Sequence, residues 1–330
     1  MTRATEPTVG AMMAKRSICI LGGTGFVGRH VASRLVKAGH RVRVLTRHRE
    51  RHRDLLVLPT LELVEADVHD ESTLREQFAG YDAVINVVGI LNEKGDSGQG
   101  FRAAHPDLAE KVVQACRDTG VGRLLHMSAL HADAERGVSH YLRSKGAAED
   151  LVQRAATYDF RVTSFRPSVI FGPGDSFLNR FARLLKWSPG LFPLACAHAR
   201  FAPVFVGDVA EVMSRALDNP HTYGQRYALC GPHTYTLQQL VEYTAALIGV
   251  RRRVVPLGRT LSRLQAEILE HAPGKPFSRD NYRSLQIDSV CEEPFPTIFG
   301  LTPATLEAEA PRYLALKTYR ARFTDFRRGI

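Results

Sequence analysis

Long apolar stretches are missing from this sequence. No run of 18 apolar residues occurs, and the most apolar segment, residues 191–206, contains His198 and Arg200. Because a membrane-spanning helix needs about 20 apolar residues, we predict no transmembrane segment. The N-terminus also lacks the apolar core of a signal peptide, which predicts a flexible leader over residues 1–14 and a cytoplasmic protein.

Cysteine is scarce, and its spacing shows neither a metal motif nor a disulfide framework. The five cysteines are Cys19, Cys116, Cys196, Cys230 and Cys291. No two of them form a C-x-x-C pair, so we expect five reduced, buried thiols in a cytosol-like compartment. The thirteen histidines include no H-E-x-x-H motif and no cluster with ligand spacing. No metal site is therefore predicted.

Acidic residues are in the minority, with 34 Asp and Glu against 44 Lys and Arg. The resulting charge of +10 attracts phosphates, acidic proteins and anionic lipids alike. No basic stripe interleaved with aromatics marks a nucleic-acid module, so nucleic acid is not an expected partner. The basic, aromatic tail at residues 319–328 is interpreted either as a membrane contact at head-group level or as a frayed, solvated terminus.

Short runs of β-branched residues alternate with segments of helical period after the leader. The runs are SICIL, RVRVLT, LELVEA, DAVINVV, RLLHMSA and RVTSFRP. This alternation is typical of βαβ units that build a parallel sheet with helices on both faces. Beyond Gly174 proline-rich turns weaken the pattern, although residues 236–248 and 261–271 still favour helices. We therefore predict a doubly wound α/β domain of the Rossmann type over residues 15–172 and a smaller C-terminal α/β lobe over residues 173–330.

The segment GGTGFVG at residues 22–28 follows the first predicted strand and opens the first predicted helix. That is the position of a dinucleotide-binding turn, in which glycines permit a tight bend, close approach of a pyrophosphate and close helix packing. The amides at the helix N-terminus are then free to bind phosphate. The expected cofactor contacts here are Gly22, Thr24, Gly25, Phe26, Val27 and Gly28.

Arg47 follows the second predicted strand, where an NAD site normally has an acidic residue and an NADP site an arginine. Since no acid occurs before Glu50, we predict NADP(H) as the cofactor in preference to NAD(H). A solvated basic loop is the other interpretation of Arg47. Further cofactor contacts, at the adenine and the ribose, are expected from Asp67, Val68, Val88 and Gly89.

Ser128, Tyr141 and Lys145 form the candidate catalytic group. Ser128 follows the fifth predicted strand, and Tyr141 and Lys145 lie one turn apart on the same face of the next predicted helix. A neighbouring ammonium is expected to lower the pKa of the tyrosine hydroxyl and so activate it in proton transfer. Lys145 is also expected to hold the nicotinamide ribose, while Ser128 hydrogen-bonds the reacting oxygen.

Together with RPSVIFGPG at residues 166–174, these motifs resemble the short-chain dehydrogenase/reductase superfamily on its extended, atypical side. The resemblance implies that Pro167, Val169 and Ile170 line the nicotinamide. The segments VINVVG, SHYLRSKGAAE, PVFVGDVA and PGKPFSRDN are most similar to the family of NADPH-binding accessory subunits of respiratory complex I and their bacterial homologues.

This closer resemblance implies a structural or regulatory NADPH, a peripheral position at the inner face of a membrane, and complex I or another membrane-associated complex as partner. The wider superfamily implies instead an active NAD(P)-dependent oxidoreductase, or an epimerase or dehydratase, acting on a small, quinone-like or isoprenoid substrate. All three polar residues are present, whereas the 13-residue separation of Ser128 and Tyr141 is short for a nucleotide-sugar enzyme. Both functions stay open at this point.

Two further sets of residues are interpreted as structural. The pairs Asp208 with Glu211 and Glu267 with Glu270 stand at helical spacing and indicate solvated helix faces. An aromatic series favours packing in the core over lining a lipid- or quinone-sized pocket. Its members are Phe171, Phe177, Phe181, Trp187 and Phe192.

Overall fold

Seven parallel strands form the central sheet of the protein, in a computed structural model that describes residues 15–315. The leader and the basic tail at residues 319–328 lie outside the described residues. In chain order the strands are β1 (Ser17–Leu21), β2 (Arg41–Thr46), β3 (Leu61–Glu65), β4 (Ala83–Asn86), β5 (Arg123–Met127), β6 (Arg161–Pro167), β7 (Ile170–Phe171), β8 (Leu191–Leu194), β9 (Arg200–Phe201), β10 (Val204–Phe205), β11 (Arg226–Leu229), β12 (Tyr235–Thr236) and β13 (Arg253–Pro256).

The order across the sheet is β3, β2, β1, β4, β5, β6 and β11, and every neighbouring pair is parallel. Ile18 of β1 stands opposite Val42 on one side and Ala83 on the other. The order reverses between β1 and β4, which creates the crevice at the carboxyl edge where doubly wound folds bind ligands. The predicted fold class is thus confirmed.

Helices cover both faces of this sheet. They are α1 (Phe26–Lys37), α2 (Glu71–Phe78), α3 (Gln99–Ala104), α4 (Pro106–Thr119), α5 (His140–Arg154), α6 (Leu178–Trp187), α7 (Val206–Ala216), α8 (Leu237–Leu247), α9 (Arg259–Glu270), α10 (Arg279–Ser284) and α11 (Leu306–Leu314). The core on one face joins the strands to α1 and α7, and the core on the other joins them to α2, α4 and α5. Within residues 15–315 no helix combines the length and apolar character needed to cross a bilayer.

The first helix, α1, shows how the local sequence determines where a helix forms and ends. Val31 and Leu35 recur at helical spacing, and both are completely buried against the sheet. Burial of such side chains contributes about 1.5–3 kcal/mol each to folding. Gly39, with a φ of 88°, takes the left-handed conformation that ends the helix.

The chain beyond Gly172, predicted as the smaller lobe, contains most of a third core and also returns to the sheet as β11. This core joins Phe171 and Phe192 to α6, α8 and α11. The predicted helices at residues 236–248 and 261–271 correspond to α8 and α9. Because residues after 172 contribute to both the lobe and the sheet, the division of the chain at this point stays a prediction.

The aromatic series divides between this core and the surface. Phe171 and Phe192 are buried, and Phe177 and Phe181 pack edge to face with ring centroids 5.4 Å apart. The core interpretation therefore describes these four rings. Trp187, in contrast, is 85% exposed at the end of α6.

The prediction of solvated acidic helix faces is wrong for three of its four residues. Asp208 is buried and accepts the amide proton of Ala304 at 2.7 Å. Glu211 pairs with Arg34 of α1. The Arg34 contact arises because α7 packs along α1, and the Asp208 contact because the segment before α11 returns to the start of α7. Helical spacing reveals neither of these long-range arrangements.

Glu270 is the third of these residues. It is 4% exposed and accepts a hydrogen bond from Arg279 Nε at 2.7 Å. Only Glu267 is half-exposed as expected, and its carboxylate pairs with Arg263 one turn earlier on the same helix.

The expectation of five reduced thiols is also wrong, because Cys230 and Cys291 form a disulfide. Cys230 directly follows β11, and the segment before Cys291 lies beside it, where Ser168 donates to the Ser289 carbonyl at 2.7 Å. A separation of 61 residues gives no local sequence signal for this pair. The remaining cysteines are free, and the cysteine content no longer supports a cytosol-like compartment.

Candidate functional site

The glycine turn connects β1 to α1 at the carboxyl edge of the sheet. Gly22 has a φ of 78°, and a Cβ atom there would lie 2.9 Å from the Val88 amide nitrogen. A Cβ on Gly28 would lie 2.2 Å from the Gly22 carbonyl oxygen. Any side chain at either position would therefore collide with backbone, which explains the need for glycine.

The N-terminus of α1 has no side-chain cap, since its N-cap residue is Gly25. Its first amides are consequently available to an anion, and the helix dipole favours negative charge at this end. Thr24, Phe26 and Val27 are half-buried around the same turn. An uncapped helix end behind a glycine cradle fits the pyrophosphate of a dinucleotide.

Arg47 is exposed immediately after β2, on the same edge of the sheet. The following segment brings one carboxylate, that of Asp54, back toward α1. Arg29 pairs with this carboxylate and also donates from Nε to the Thr24 carbonyl at 2.9 Å. The pairing lowers the pKa of Asp54 and balances its charge. Arg47 itself forms no salt bridge among residues 15–315.

Asp67 and Val68 follow β3, the former exposed and the latter half-buried. Val88 and Gly89 follow β4 at the centre of the edge. A Cβ added to Gly89 would lie 3.1 Å from Lys145 Nζ, so this glycine leaves room for the lysine. The structure thus places these strand ends along one line beside the glycine turn, as the parallel topology requires.

Lys145 is 3% exposed and lies between two strand ends. Its Nζ donates to the Val88 carbonyl at 3.2 Å and to the Met127 carbonyl at 3.0 Å. Burial lowers the pKa of the ammonium to about 8, while the Glu149 carboxylate one turn later opposes this shift. At neutral pH the ammonium is therefore mostly charged, and it is held by backbone carbonyls at the ends of β4 and β5.

Ser128 lies directly after β5, next to the Met127 carbonyl that binds Lys145. Its side chain is 2% exposed, and Oγ has no hydrogen-bond partner among the described residues. A buried hydroxyl without a partner is costly unless a ligand completes it. This orphaned oxygen fits a site that is completed by a bound molecule.

Tyr141 lies on α5 one turn before Lys145. Its ring packs edge to face against Phe101 and His105, at centroid distances of 6.1 and 5.8 Å. Burial raises the pKa of the phenol to about 12. The expectation that Lys145 lowers this pKa is wrong here, because desolvation outweighs any effect of an ammonium already bound to two carbonyls.

His105 is a site residue that sequence reasoning missed. The Ile90 amide donates to its Nε2 at 3.3 Å, which leaves the proton on Nδ1, 2.7 Å from Ser144 Oγ. Ser144 in turn donates to the Tyr141 carbonyl at 2.8 Å. Burial, reinforced by the Lys145 charge, lowers the pKa of His105 to about 2. A neutral imidazole therefore links the β4 loop to the tyrosine, through contacts too distant in sequence to form a motif.

The start of α5 is held by a residue from the smaller lobe. Asp280 accepts the amide protons of His140 at 2.7 Å and of Tyr141 at 3.1 Å. Asp280 belongs to the PGKPFSRDN segment, and this contact gives that segment a structural role. The segment caps the helix that carries Tyr141 and Lys145, and so couples the lobe to the site.

Asp96, His140 and Asp280 bring potential metal-ligand atoms within 4.8 Å of one another. Arg283 pairs with Asp96 at 2.7 Å and with Asp280 at 3.4 Å. The His140 imidazole faces Arg143 at 3.3 Å. Existing partners thus occupy these groups, and the cluster is not a favourable cation site.

The last predicted contacts follow β6. Pro167 is buried, and its carbonyl accepts the Leu130 amide at 3.0 Å. Val169 and Ile170 are half-buried, and Ile170 pairs with Val204 in the short β7–β10 ladder. The backbone of this segment lies across the carboxyl edge of the sheet from the glycine turn.

A parallel doubly wound sheet with a glycine cradle and a Ser, Tyr, Lys group defines a dinucleotide-binding protein of the reductase and epimerase class. The profile of the NAD dependent epimerase/dehydratase family matches residues 18–230, and the chain belongs to this family.

Relatives within the family have different functions. The chain is 29% identical over 314 residues to the rat (Rattus norvegicus) mitochondrial NADH dehydrogenase (ubiquinone) 1 alpha subcomplex subunit 9, covering 91% of this chain and 80% of that protein. It is also 31% identical over 247 residues to a ceramide reductase of Caulobacter vibrioides, covering 74% of each chain. The predicted resemblance is confirmed, and the relatives include both a complex I subunit and an enzyme.

Solved structures show the same fold. A UDP-glucose 4-epimerase from Thermus thermophilus in complex with NAD superposes with a TM-score of 0.63 at 20% identity, covering 82% of this chain and 99% of that one.

Proposed function

We propose that this protein holds NADP(H) as a structural or regulatory group in an accessory subunit of a membrane-associated complex similar to respiratory complex I. The observation that carries the proposal is the state of Lys145 and Tyr141. The ammonium is bound to the Val88 and Met127 carbonyls, whereas the phenol has a pKa of about 12. The lysine is thus positioned to bind a ribose, while the protonated tyrosine is not poised to serve as the base of an oxidation.

The preference for the 2′-phosphorylated cofactor rests on Arg47. Arg47 is exposed directly after β2 and has no salt bridge among the described residues, and Asp54 in the following segment is paired with Arg29. A guanidinium without a competing carboxylate binds a phosphate in a bidentate manner.

A peripheral position at the inner face of a membrane completes the proposal. It is supported by the +10 charge and by similarity to complex I subunits. An excess of basic residues is attracted to the anionic surface of a cytoplasmic leaflet.

An active reductase is the second candidate function, and the orphaned Ser128 hydroxyl favours it. A bound nicotinamide would supply or accept hydride. Tyr141, protonated below a pKa of about 12, would then donate its proton to the reduced oxygen, and Ser128 would orient that oxygen. The smaller lobe beyond residue 172 would supply the substrate contacts.

Two variants distinguish these functions when cofactor occupancy and oxidation state are followed by native mass spectrometry and absorbance. If the nucleotide is structural, Lys145→Ala loses retained NADP(H), whereas Tyr141→Phe retains it and leaves its oxidation state unchanged. Substrate-dependent oxidation of bound NADPH in the wild type, abolished in Tyr141→Phe, would establish the reductase instead. Purification of the wild type without any nucleotide, and failure to bind added NADPH, would refute both.

A further inference from the structure

The largest exposed apolar side chains gather on the smaller lobe. Eleven such side chains are found among residues 15–315, and six of them belong to α6, β8 and α9. These six, which we name the lobe face, are Leu184, Trp187, Leu191, Leu261, Leu264 and Ile268. Exposed apolar patches of this kind mark interaction surfaces more often than scattered single residues do.

The contribution of α9 is a regular stripe. Leu261, Leu264 and Ile268 are 54%, 49% and 61% exposed, and their spacing of three and four residues places them on one side of the helix. The opposite side, with Ser262 and Ala266, is buried. The buried side also includes the polar Ser262 and Glu270, so the helix carries its larger apolar side chains on the side that packing within the described chain leaves exposed.

Direct contacts tie α9, β8 and α6 together. Gln265 of α9 donates to the Pro193 carbonyl of β8 at 3.0 Å and accepts the Ala195 amide at 3.0 Å. Arg252, just before β13, donates to the Leu185 carbonyl of α6 at 3.0 Å. Since β13 pairs with β8, the three elements form one unit.

The segments that carry these apolar residues are rich in basic residues and poor in acidic ones. No acidic residue occurs between Asp175 and Asp208, a stretch that holds four basic residues, or between Glu242 and Glu267, a stretch that holds five. Five of these nine side chains are exposed and have no carboxylate partner among the described residues. They are Arg183, Lys186, Arg251, Arg253 and Arg259.

We propose that the lobe face docks on an anionic lipid surface, with its apolar side chains at head-group depth and the surrounding arginines and lysine on lipid phosphates. An amphipathic helix with a basic margin binds a bilayer in this way, whereas a protein partner would need matching acidic groups and pockets. The inference rests on the membrane-side position proposed above, but not on the bound nucleotide.

Trp187 is the only tryptophan of the chain, so its fluorescence reports on this face directly. The experiment adds the full chain to phosphatidylcholine vesicles with and without phosphatidylglycerol. With the anionic lipid we expect co-sedimentation, a blue shift of the Trp187 emission and protection from aqueous quenchers. Co-sedimentation without an emission change would overturn the proposal, and so would an absence of binding.

A triple variant, Leu261→Gln with Leu264→Gln and Ile268→Gln, tests the stripe itself. Because all three residues are half-exposed, the fold should tolerate the change, and vesicle affinity should fall at least about tenfold. The matched control replaces Leu56, Val57 and Tyr158, which are exposed elsewhere, by glutamine and should bind as the wild type does.

Three outcomes would identify a different occupant or a different contact. Wild-type affinity of the stripe variant would overturn the proposal, as would a dimer in solution that this variant dissociates. Loss of all binding on deletion of residues 316–330 alone would assign the contact to the tail. Nucleotide retention by native mass spectrometry, unchanged in the stripe variant, separates failure of this inference from failure of the nucleotide proposal.

Discussion

The carboxyl edge of the sheet and the lobe face differ in which side chains they bury. At the edge, Lys145, His126 and Glu149 are charged or titratable groups that the fold buries almost completely. On the lobe face, Leu264 and Ile268 are apolar groups that the fold leaves exposed. Burial of a charge is costly unless partners within the fold compensate it, whereas an exposed apolar side chain contributes little to folding. Substitutions should therefore be costly at the edge and nearly neutral on the lobe face.

The largest effect is expected at Glu149, which is completely buried. Its carboxylate accepts hydrogen bonds from Arg166 at 2.9 Å and pairs with Arg226 at 2.6 Å, so it joins α5 to β6 and β11. Glu149→Gln leaves two arginines without their shared partner and should lower the free energy of unfolding by about 3 kcal/mol. Urea denaturation measures this change. The neighbouring variant Asp150→Asn, at a partly exposed carboxylate, should cost less than about 1 kcal/mol.

Two buried histidines predict an acid-sensitive edge. Burial and the Lys145 charge lower the pKa of His126 to about 3 and of His105 to about 2. Below about pH 6.5 these histidines are protonated in the unfolded chain but not in the folded chain. The free energy of unfolding is therefore highest above that pH and falls as the pH drops. Each histidine should contribute up to about 1.4 kcal/mol per pH unit to this slope.

Denaturation at a series of pH values tests this expectation. His126→Leu should flatten the slope between about pH 6 and pH 4. This window lies between the ordinary histidine pKa of about 6.5 and the lowered pKa of about 3 in the folded chain. His69→Leu, at an exposed histidine, should leave the slope as it is. An unchanged slope in His126→Leu would contradict the assignment of a buried neutral ring.

The cap of α5 should have an intermediate effect. Asp280→Ala removes the acceptor for the His140 and Tyr141 amides and should lower stability by about 1–2 kcal/mol, as at other helix N-caps. NADPH affinity should fall with it, because the same helix positions Lys145. Asp280→Asn keeps one acceptor oxygen, so its stability and its NADPH affinity should lie between those of the wild type and of Asp280→Ala. Thermal unfolding and nucleotide titration measure both quantities, and equal affinities in all three proteins would exclude the coupling.

Arg47 should affect cofactor choice without affecting the fold. Arg47→Gln should weaken NADPH binding about five- to tenfold, which is about 1 kcal/mol, and leave NADH binding unchanged. Isothermal titration with both nucleotides provides the comparison. Arg51→Gln, an exposed arginine in the same segment, is the control and should change neither affinity. A parallel loss for NADH would mean that Arg47 contributes only general charge.

The smallest effect belongs to the lobe face. Leu264→Gln should change the free energy of unfolding by less than about 0.5 kcal/mol, because half of the side chain is already in water. Chemical denaturation measures it beside Glu149→Gln. A loss comparable to that of Glu149 would show that the stripe packs within the chain, and the contrast between the two regions would then fail.

Local patterns predicted the site wherever consecutive residues carry the signal. The glycine turn, the Ser128 strand end and the Tyr141–Lys145 turn all lie where the sequence placed them, because each depends on one strand or one helix. The state of Tyr141 was not predictable, since its pKa depends on Phe101 and His105 packing around the ring from another part of the chain. The cap by Asp280 was missed for the same reason, at 139 residues from Tyr141.

The sequence by itself determined the parallel α/β fold, the nucleotide turn and the family, because periodicity and short glycine spacing follow from local backbone geometry. Tertiary structure alone decided which charges are buried, which thiols pair and which apolar side chains stay in water. Cys230 can bond to Cys291, and Asp208 can accept the Ala304 amide proton, only when the chain beyond Gly172 has folded back against the sheet. Burial depends on what packs against a residue from afar, and no pattern of near neighbours contains that information.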